Sequence, residues 1–281
     1  MSKSTITFRK FLKLLLAVEF YNIIINLTFA LSGYSSFTLK EWLIILWPIK
    51  GIGTNFISCF LVFYLFIPFL NVLVQHLDKR MHLRLILLCL FVYTFLGMSH
   101  FFLVTMNYLS WFCVLFIIAS YIRFYGLEWK GQTIKWGWIT FVSIIISCTS
   151  IITICFSEIP LASSYLVADS NHLMALVIAV CSFMWFKNLK IRQNKLINAI
   201  AASTFGVLLI HANSDTMRQW LWCDTLNNVG QYGTDTFVLH MIGSVLVIYL
   251  VCTLIDYLRI RFIGRPAFMW IDKYLARNKI E

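Results

Sequence analysis

The chain has 281 residues, 60% of them hydrophobic and only 12% charged, with a formal net charge of +11 and a mean hydropathy of +0.81. A soluble domain carries roughly 25% charged residues, so this composition excludes a water-soluble globular protein, while 12 glycines and 4 prolines exclude collagen-like and disordered classes. The basic residues fall in short clusters between apolar runs and read as topology signals, so a membrane lipid environment is expected and nucleic acid is not.

The N-terminal stretch MSKSTITFRKFLKLLLAVEFYN opens like a signal peptide, but Glu19, Asn22 and Asn26 interrupt its apolar run and no small-residue cleavage site follows. It is read as an uncleaved first span. A helix crosses about 30 Å of hydrocarbon in roughly 20 residues and satisfies its own backbone hydrogen bonds. Eight apolar runs meet that pattern: 11–31, 54–75, 85–106, 108–125, 136–156, 172–187, 196–213 and 236–257. The expected fold is an all-α polytopic membrane bundle forming one domain over 1–281. Between the first two runs, WLIILWPI (42–49) is too short to cross, and its Trp42 and Trp47 suit the headgroup level. Pro68 removes a backbone donor within the second run, so a kink is expected there. Ala199, Ala201, Ala202, Ser203 and Gly206 give the seventh run a small-residue surface for close helix packing.

Lys and Arg accumulate in cytoplasmic loops. With the N-terminus inside, all but Lys40, Lys50 and Arg218 of the 23 Lys and Arg residues fall on the inner side. Both termini are therefore expected in the cytoplasm. The eight cysteines are scattered singly, with no spacing suited to zinc, and read as packing residues; no metal is expected. Phosphate-binding glycine loops, zinc-protease motifs and nucleophile elbows are missing from the sequence.

Four groups of polar residues stand out. His211, Asp215 and Arg218 follow helical spacing, with Trp222 extending the row. If the helix continues past His211 they share one face, Asp215 setting the imidazole tautomer, the other nitrogen acting as a base and Arg218 binding an anion or a sugar hydroxyl. The alternative is a polar cap where a helix leaves the membrane. His100, His172 and His240 fall at the same outer level and either line a cavity with His211 or serve as interfacial anchors. Glu19 lies mid-span, where a carboxylate costs about 2.5–3.5 kcal/mol on insertion scales. It must face protein or water, either in a structural hydrogen bond or in a proton or substrate path. On the inner side, Arg123, Lys187, Lys190 and Arg192 either grip the phosphates of a nucleotide such as coenzyme A or only set orientation.

Three segments, GTNFISCFLVFYLFIPFLN (53–71), LSWFCVLFIIASYIRFY (109–125) and INAIAASTFGVLLIHANSDTMRQWLW (197–222), resemble, in order, landmarks of the acyltransferase 3 family of bacterial membrane O-acyltransferases. The likeness is closest to members that modify surface polysaccharides. It implies an enzyme of the bacterial cytoplasmic membrane that moves an acyl group, usually acetyl from acetyl-CoA, onto a sugar hydroxyl of an envelope polysaccharide or lipid-linked sugar. His211 and Arg218 then fall in the late motif, and Arg123 closes the Y-I-R segment. His211, on the matching motif, and Glu19, as the mid-span carboxylate, are the catalytic candidates. Asp215, Arg218, Trp222, His100 and His240 are candidates for binding the acceptor, and Arg123, Lys187, Lys190 and Arg192 for the acetyl-CoA donor. The chain departs from the family pattern at one point: members carry an Arg and, about ten residues later, a His in the first span, and no such pair occurs here. The sequence resembles a member lacking its first two helices, which implies an incomplete or inactive enzyme or a partner subunit supplying those helices. Two further classes stay open, a transporter or flippase for an envelope precursor and a non-catalytic remnant.

Overall fold

The structure, a computed structural model, describes residues 8–47, 49, 55–99, 104, 107–127, 134–157 and 166–277. Among them every regular element is helical: the chain is an all-helical, polytopic membrane protein. In order the helices are α1 (Phe8–Leu31), α2 (Leu39–Ile45), α3 (Phe56–His76), α4 (Lys79–Leu90), α5 (Tyr108–Tyr125), α6 (Trp136–Phe156), α7 (Leu173–Asn188), α8 (Lys195–His211), α9 (Asp215–Arg218), α10 (Phe237–Arg259) and α11 (Arg265–Arg277). Wide, π-helical turns follow α4 (Phe91–Leu96), α9 (Gln219–Thr225) and α10 (Ile260–Gly264).

The starts of these helices are written in short polar side chains that accept hydrogen bonds from the first free backbone N–H groups. Thr38 and Glu41 form a reciprocal capping box at α2, and the Thr38 backbone N–H, then its hydroxyl, hold the Glu41 carboxyl below its usual range. Asn55 accepts from Ile57 and Ser58 at 3.0 Å each, Asp78 from Met81 at 2.6 Å, Asn107 from Leu109 at 2.8 Å and Asn194 from Leu196 at 2.8 Å. Asp78 explains the main displacement from the expected spans. It starts α4 at Lys79, inside a charged turn, and the helical run ends at Leu96 before Gly97, so the run expected over 85–106 is shifted towards the N-terminus. Pro68 sits inside α3, which continues through it.

Five helical runs among the described residues are long and apolar enough to cross a membrane, and α8 with the segment after it makes a sixth if the bent pair is one span. α7, with 16 residues, is shorter, and α4 opens with Lys79, Arg80 and Arg84.

Two compact units divide the chain, residues 1–50 with 192–281 and residues 51–191. In the second unit α3 and α4 pack on α5, and α6 packs on α7. Trp111, Val114 and Leu176 form one buried cluster there, and Val74, Ile86 and Ile117 another. His82, fully buried, points Nε2 at the Ile117 carbonyl at 2.9 Å and ties α4 to α5.

In the first unit α8 packs against α10 and α1. Its seam is made of small residues: Ser203 and Gly206 on α8 face a stripe on α10 in which every fourth residue, Ser244, Ile248, Cys252 and Asp256, is buried. Of the expected small-residue surface, Ser203 and Gly206 are buried, whereas Ala201 and Ala202 are exposed. At Gly206 a Cβ would lie 2.1 Å from the Asp256 carboxyl carbon, so only glycine lets the two helices meet there. Asp256 is fully buried. It accepts from the Tyr21 hydroxyl of α1 at 2.8 Å and from Arg259 Nε at 2.9 Å and Nη2 at 2.8 Å. One carboxylate thus joins three helices. Gly206→Ala is expected to cost about 1–3 kcal/mol by overpacking, read as a lower unfolding temperature of the purified protein in detergent, whereas Ala201→Val at an exposed position changes it little.

Candidate functional site

The end of α8 that the charge distribution assigns to the outer face carries the polar trio, and its geometry follows from where the helix stops. α8 ends at His211, and Ser214, in an extended conformation with φ −150° and ψ 167°, caps a new helix by accepting from Met217 N–H. The two segments meet at 96°. That bend breaks the helical spacing which would have put His211, Asp215 and Arg218 on one face.

The expected imidazole–carboxylate pair is therefore not formed. Asp215 instead pairs with Arg218 at 3.0 Å, with the Arg218 side chain 57% and the Asp215 side chain 98% exposed. Such a pair contributes about 0–1 kcal/mol. His211 turns back on its own helix: Nδ1 lies 2.7 Å from the Val207 carbonyl, and its ring meets Trp222 edge-on at 6.5 Å. A carbonyl only accepts, so Nδ1 carries the hydrogen and Nε2 of the neutral ring holds the lone pair. The tautomer proposed for a base is thus set by backbone rather than by Asp215. Asn213 fixes this end of α8 to α1 by donating to the Asn22 side chain at 3.2 Å.

Beside the bend, between the end of α1 and the turn after α9, lies a groove of about 460 Å³ whose lining includes Thr28, Phe29, Ser32, Tyr34, Met217 and Trp220. The Phe29 ring lies 5.3 Å from Tyr34 and 5.9 Å from Trp220. Gly33, with φ +71°, supplies the left-handed turn that brings Tyr34 back over Phe29. The Tyr34 hydroxyl donates to Asp224, which also accepts from Gln219 at 3.3 Å. That hydrogen bond to Asp224 raises the Tyr34 pKa, keeping it a neutral donor. The result is an aromatic floor with hydroxyls beside it, one of them, Tyr34, held from behind by a carboxylate.

A family model described as an acyltransferase domain matches residues 1–270. The chain belongs to the acyltransferase 3 family. No curated protein and no solved structure matches it. The family match runs from α1 into α11, so it covers the bend, the groove and every residue singled out from the sequence.

The remaining sequence-derived site residues of this acyltransferase are dispersed. His240 points Nε2 at the Asn228 side chain at 3.0 Å, not at His211. His172 belongs to the second unit, 3.9 Å from Asp169, and His100 lies outside the described residues. Glu19 is half-buried on α1, one turn before Asn22. His211 bonds to neither carboxylate. Arg123, at the end of α5, and Lys187, Lys190 and Arg192, at and after the end of α7, are all exposed.

Sequence reasoning missed two features. Tyr34, Trp220, Gln219 and Asp224 come together only because α8 ends at His211, and the Asn-Ser pair at 213–214 was the readable sign of that end. Asp256 and Arg259, three residues apart at the end of a predicted span, were legible as an intrahelical pair, but Arg259 was counted only as a topology charge. Because the Tyr34 pKa is raised, the contribution of its bond to Asp224 is complete below about pH 10, the ordinary phenol value, and is lost only as pH rises through the higher folded value. Asp224→Asn should therefore increase phenolate absorbance at any given pH above 10 relative to wild type in a spectrophotometric titration.

Proposed function

We propose that this chain transfers an acyl group, acetyl from acetyl-CoA, to a sugar hydroxyl of a cell-surface polysaccharide or its lipid-linked precursor, in the bacterial cytoplasmic membrane. The observation that carries this reading is the pairing of a groove built like a sugar site with a histidine whose Nε2 is left as the acceptor. His211 opens the same turn of chain, residues 211–224, that supplies Met217 and Trp220 to the groove. Aromatic faces stack on the apolar face of a pyranose, and the hydroxyls of Thr28, Ser32 and Tyr34, the last held by Asp224, suit its hydroxyls.

The chemistry follows from these groups. His211 Nε2 accepts the proton of the sugar hydroxyl as its oxygen attacks the thioester carbonyl. The C–S bond then breaks, the ester forms, and the coenzyme A thiolate leaves and takes up the proton. General-base assistance of this kind contributes roughly 10²–10⁴-fold. Trp222 meets the imidazole edge-on, and Arg218, exposed and paired with Asp215, is the candidate donor to the acceptor. His240 and Glu19 are the next candidates for contact with acceptor and proton. The exposed cations Arg123, Lys187, Lys190 and Arg192 suit the phosphates of the donor.

The experiment is acetyl analysis of surface glycan in a deletion strain complemented with wild type or with variants. His211→Ala should lower O-acetylation by about 10²-fold or more, and Trp220→Ala should weaken acceptor use while the protein accumulates at wild-type level. Equal acetylation in the deletion strain and in every complemented strain removes the assignment.

A further inference from the structure

The hydroxyls along the groove beside the bend belong to a short run that closes the first span, TFALSGY (28–34). A Thr or Ser hydroxyl on a helix finds the carbonyl one turn back. Thr28 Oγ1 donates to the Ile24 carbonyl at 2.8 Å, and Ser32 Oγ to the Phe29 carbonyl at 3.0 Å. The Tyr34 hydroxyl donates to Asp224. A hydroxyl has one hydrogen, and carbonyls and carboxylates only accept, so all three hydrogens are committed inside the protein. What each oxygen keeps for a ligand is lone pairs.

The backbone of the turn follows the same rule. Ser32 N–H donates to the Thr28 carbonyl at 2.9 Å, Gly33 N–H to Ala30 at 3.2 Å, and the N–H groups of Tyr34 and Ser35 to Phe29 at 3.1 and 3.3 Å. This wall therefore turns no free backbone N–H towards a ligand. None of the described lining residues is Lys, Arg or His, and the indole N–H of Trp220 is the one side-chain donor among them not already engaged. The charge tied to the groove is negative, Asp224 behind Tyr34. Arg218, which follows Met217 in the chain, is paired with Asp215 at 3.0 Å.

We propose that this groove selects an uncharged pyranose, a hexose or an N-acetylhexosamine, and rejects uronic and other acidic sugars. The inference rests on the reading of the groove as the acceptor site. A neutral sugar donates its hydroxyl hydrogens to the three oxygens of Thr28, Ser32 and Tyr34. A sugar carboxylate would meet lone pairs, hydrocarbon and the negative Asp224, with a single neutral indole N–H in return, and would leave its own lone pairs unpaired. Discrimination at such a site comes from the hydrogen bonds that the wrong substrate leaves unmade and from like-charge repulsion.

The test is saturation-transfer NMR titration of the full chain, purified in neutral detergent. The probes are the methyl α-glycosides of glucose, galactose and N-acetylglucosamine, set against those of glucuronic and galacturonic acid. Wild type should bind its best neutral glycoside about tenfold more tightly than either uronate. Thr28→Val keeps the shape and removes one acceptor oxygen, and should weaken neutral binding about three- to tenfold. Ser32→Arg, at an exposed position, should bring uronate binding up to that of the neutral sugar without changing the unfolding temperature. Trp220→Ala should weaken neutral binding, which locates the sugar in this groove. Uronates bound as tightly as neutral glycosides by wild type overturn the inference. So does the absence of neutral binding, or neutral binding that Thr28→Val and Trp220→Ala leave unchanged. Unchanged surface acetylation in the deletion strain would remove acyl transfer without altering this preference, and a preference for uronates would overturn the preference without touching transfer.

Discussion

A carboxylate buried between three helices has few stable arrangements, and Asp256 shows what one requires. Its side chain is 1% exposed and that of Arg259 is 12% exposed, so neither charge is solvated by water. Arg259 neutralises Asp256 with a hydrogen bond from Nε and an ion-pair contact from Nη2, Tyr21 adds a hydrogen bond from α1, and Gly206 clears the space on α8. A buried pair of this kind is often no more stabilising than well-packed hydrocarbon, but removing one member leaves an uncompensated charge and costs about 3–5 kcal/mol. The contacts converge on Oδ1 and limit how α1 and α10 can turn against each other, while Oδ2 is buried with no hydrogen-bond partner among the described residues.

The register fixed there propagates along α8. Ser203 and Gly206 set the contact with α10, and the next turn and a half carries the chain to His211, where the helix stops. Asn213 meets Asn22 on α1, so the end of α8 is tied to α1 one residue after Tyr21, the residue that ties α1 to α10. With α1 held there to both neighbours, its end and the Gly33 turn place Phe29 and Tyr34 against Trp220. The acceptor groove is therefore a consequence of how these helices are locked.

Much of this was legible in the sequence for a simple reason. Hydrocarbon imposes a length and a composition on each spanning helix, so α3, α5, α6, α7, α8 and α10 lie within a few residues of the apolar runs. The displaced element is α4, whose start is set by an Asp78 cap rather than by hydropathy. The polar sites were harder because they depend on where helices end and on which faces meet. Spacing alone put His211, Asp215 and Arg218 on one face; a single capping serine turns the chain by 96° and gives Asp215 to Arg218. Likewise Tyr21 and Asp256 are 235 residues apart in sequence, and no local pattern links a tyrosine in one apolar run to an aspartate in another.

The most direct test of this account is a double-mutant cycle on that link, with thermal unfolding of wild type, Tyr21→Phe, Asp256→Asn and the double variant measured in one detergent. Hydrogen bonds between membrane helices couple by about 0.6 kcal/mol on average and up to about 1.7. The account predicts a coupling at the upper end of that range, because the Tyr21 hydroxyl meets a charged acceptor, so that Tyr21→Phe costs much less once Asp256 is Asn. Strictly additive losses, with Tyr21→Phe equally costly in both backgrounds, would contradict the claim that this carboxylate limits how α1 and α10 turn against each other.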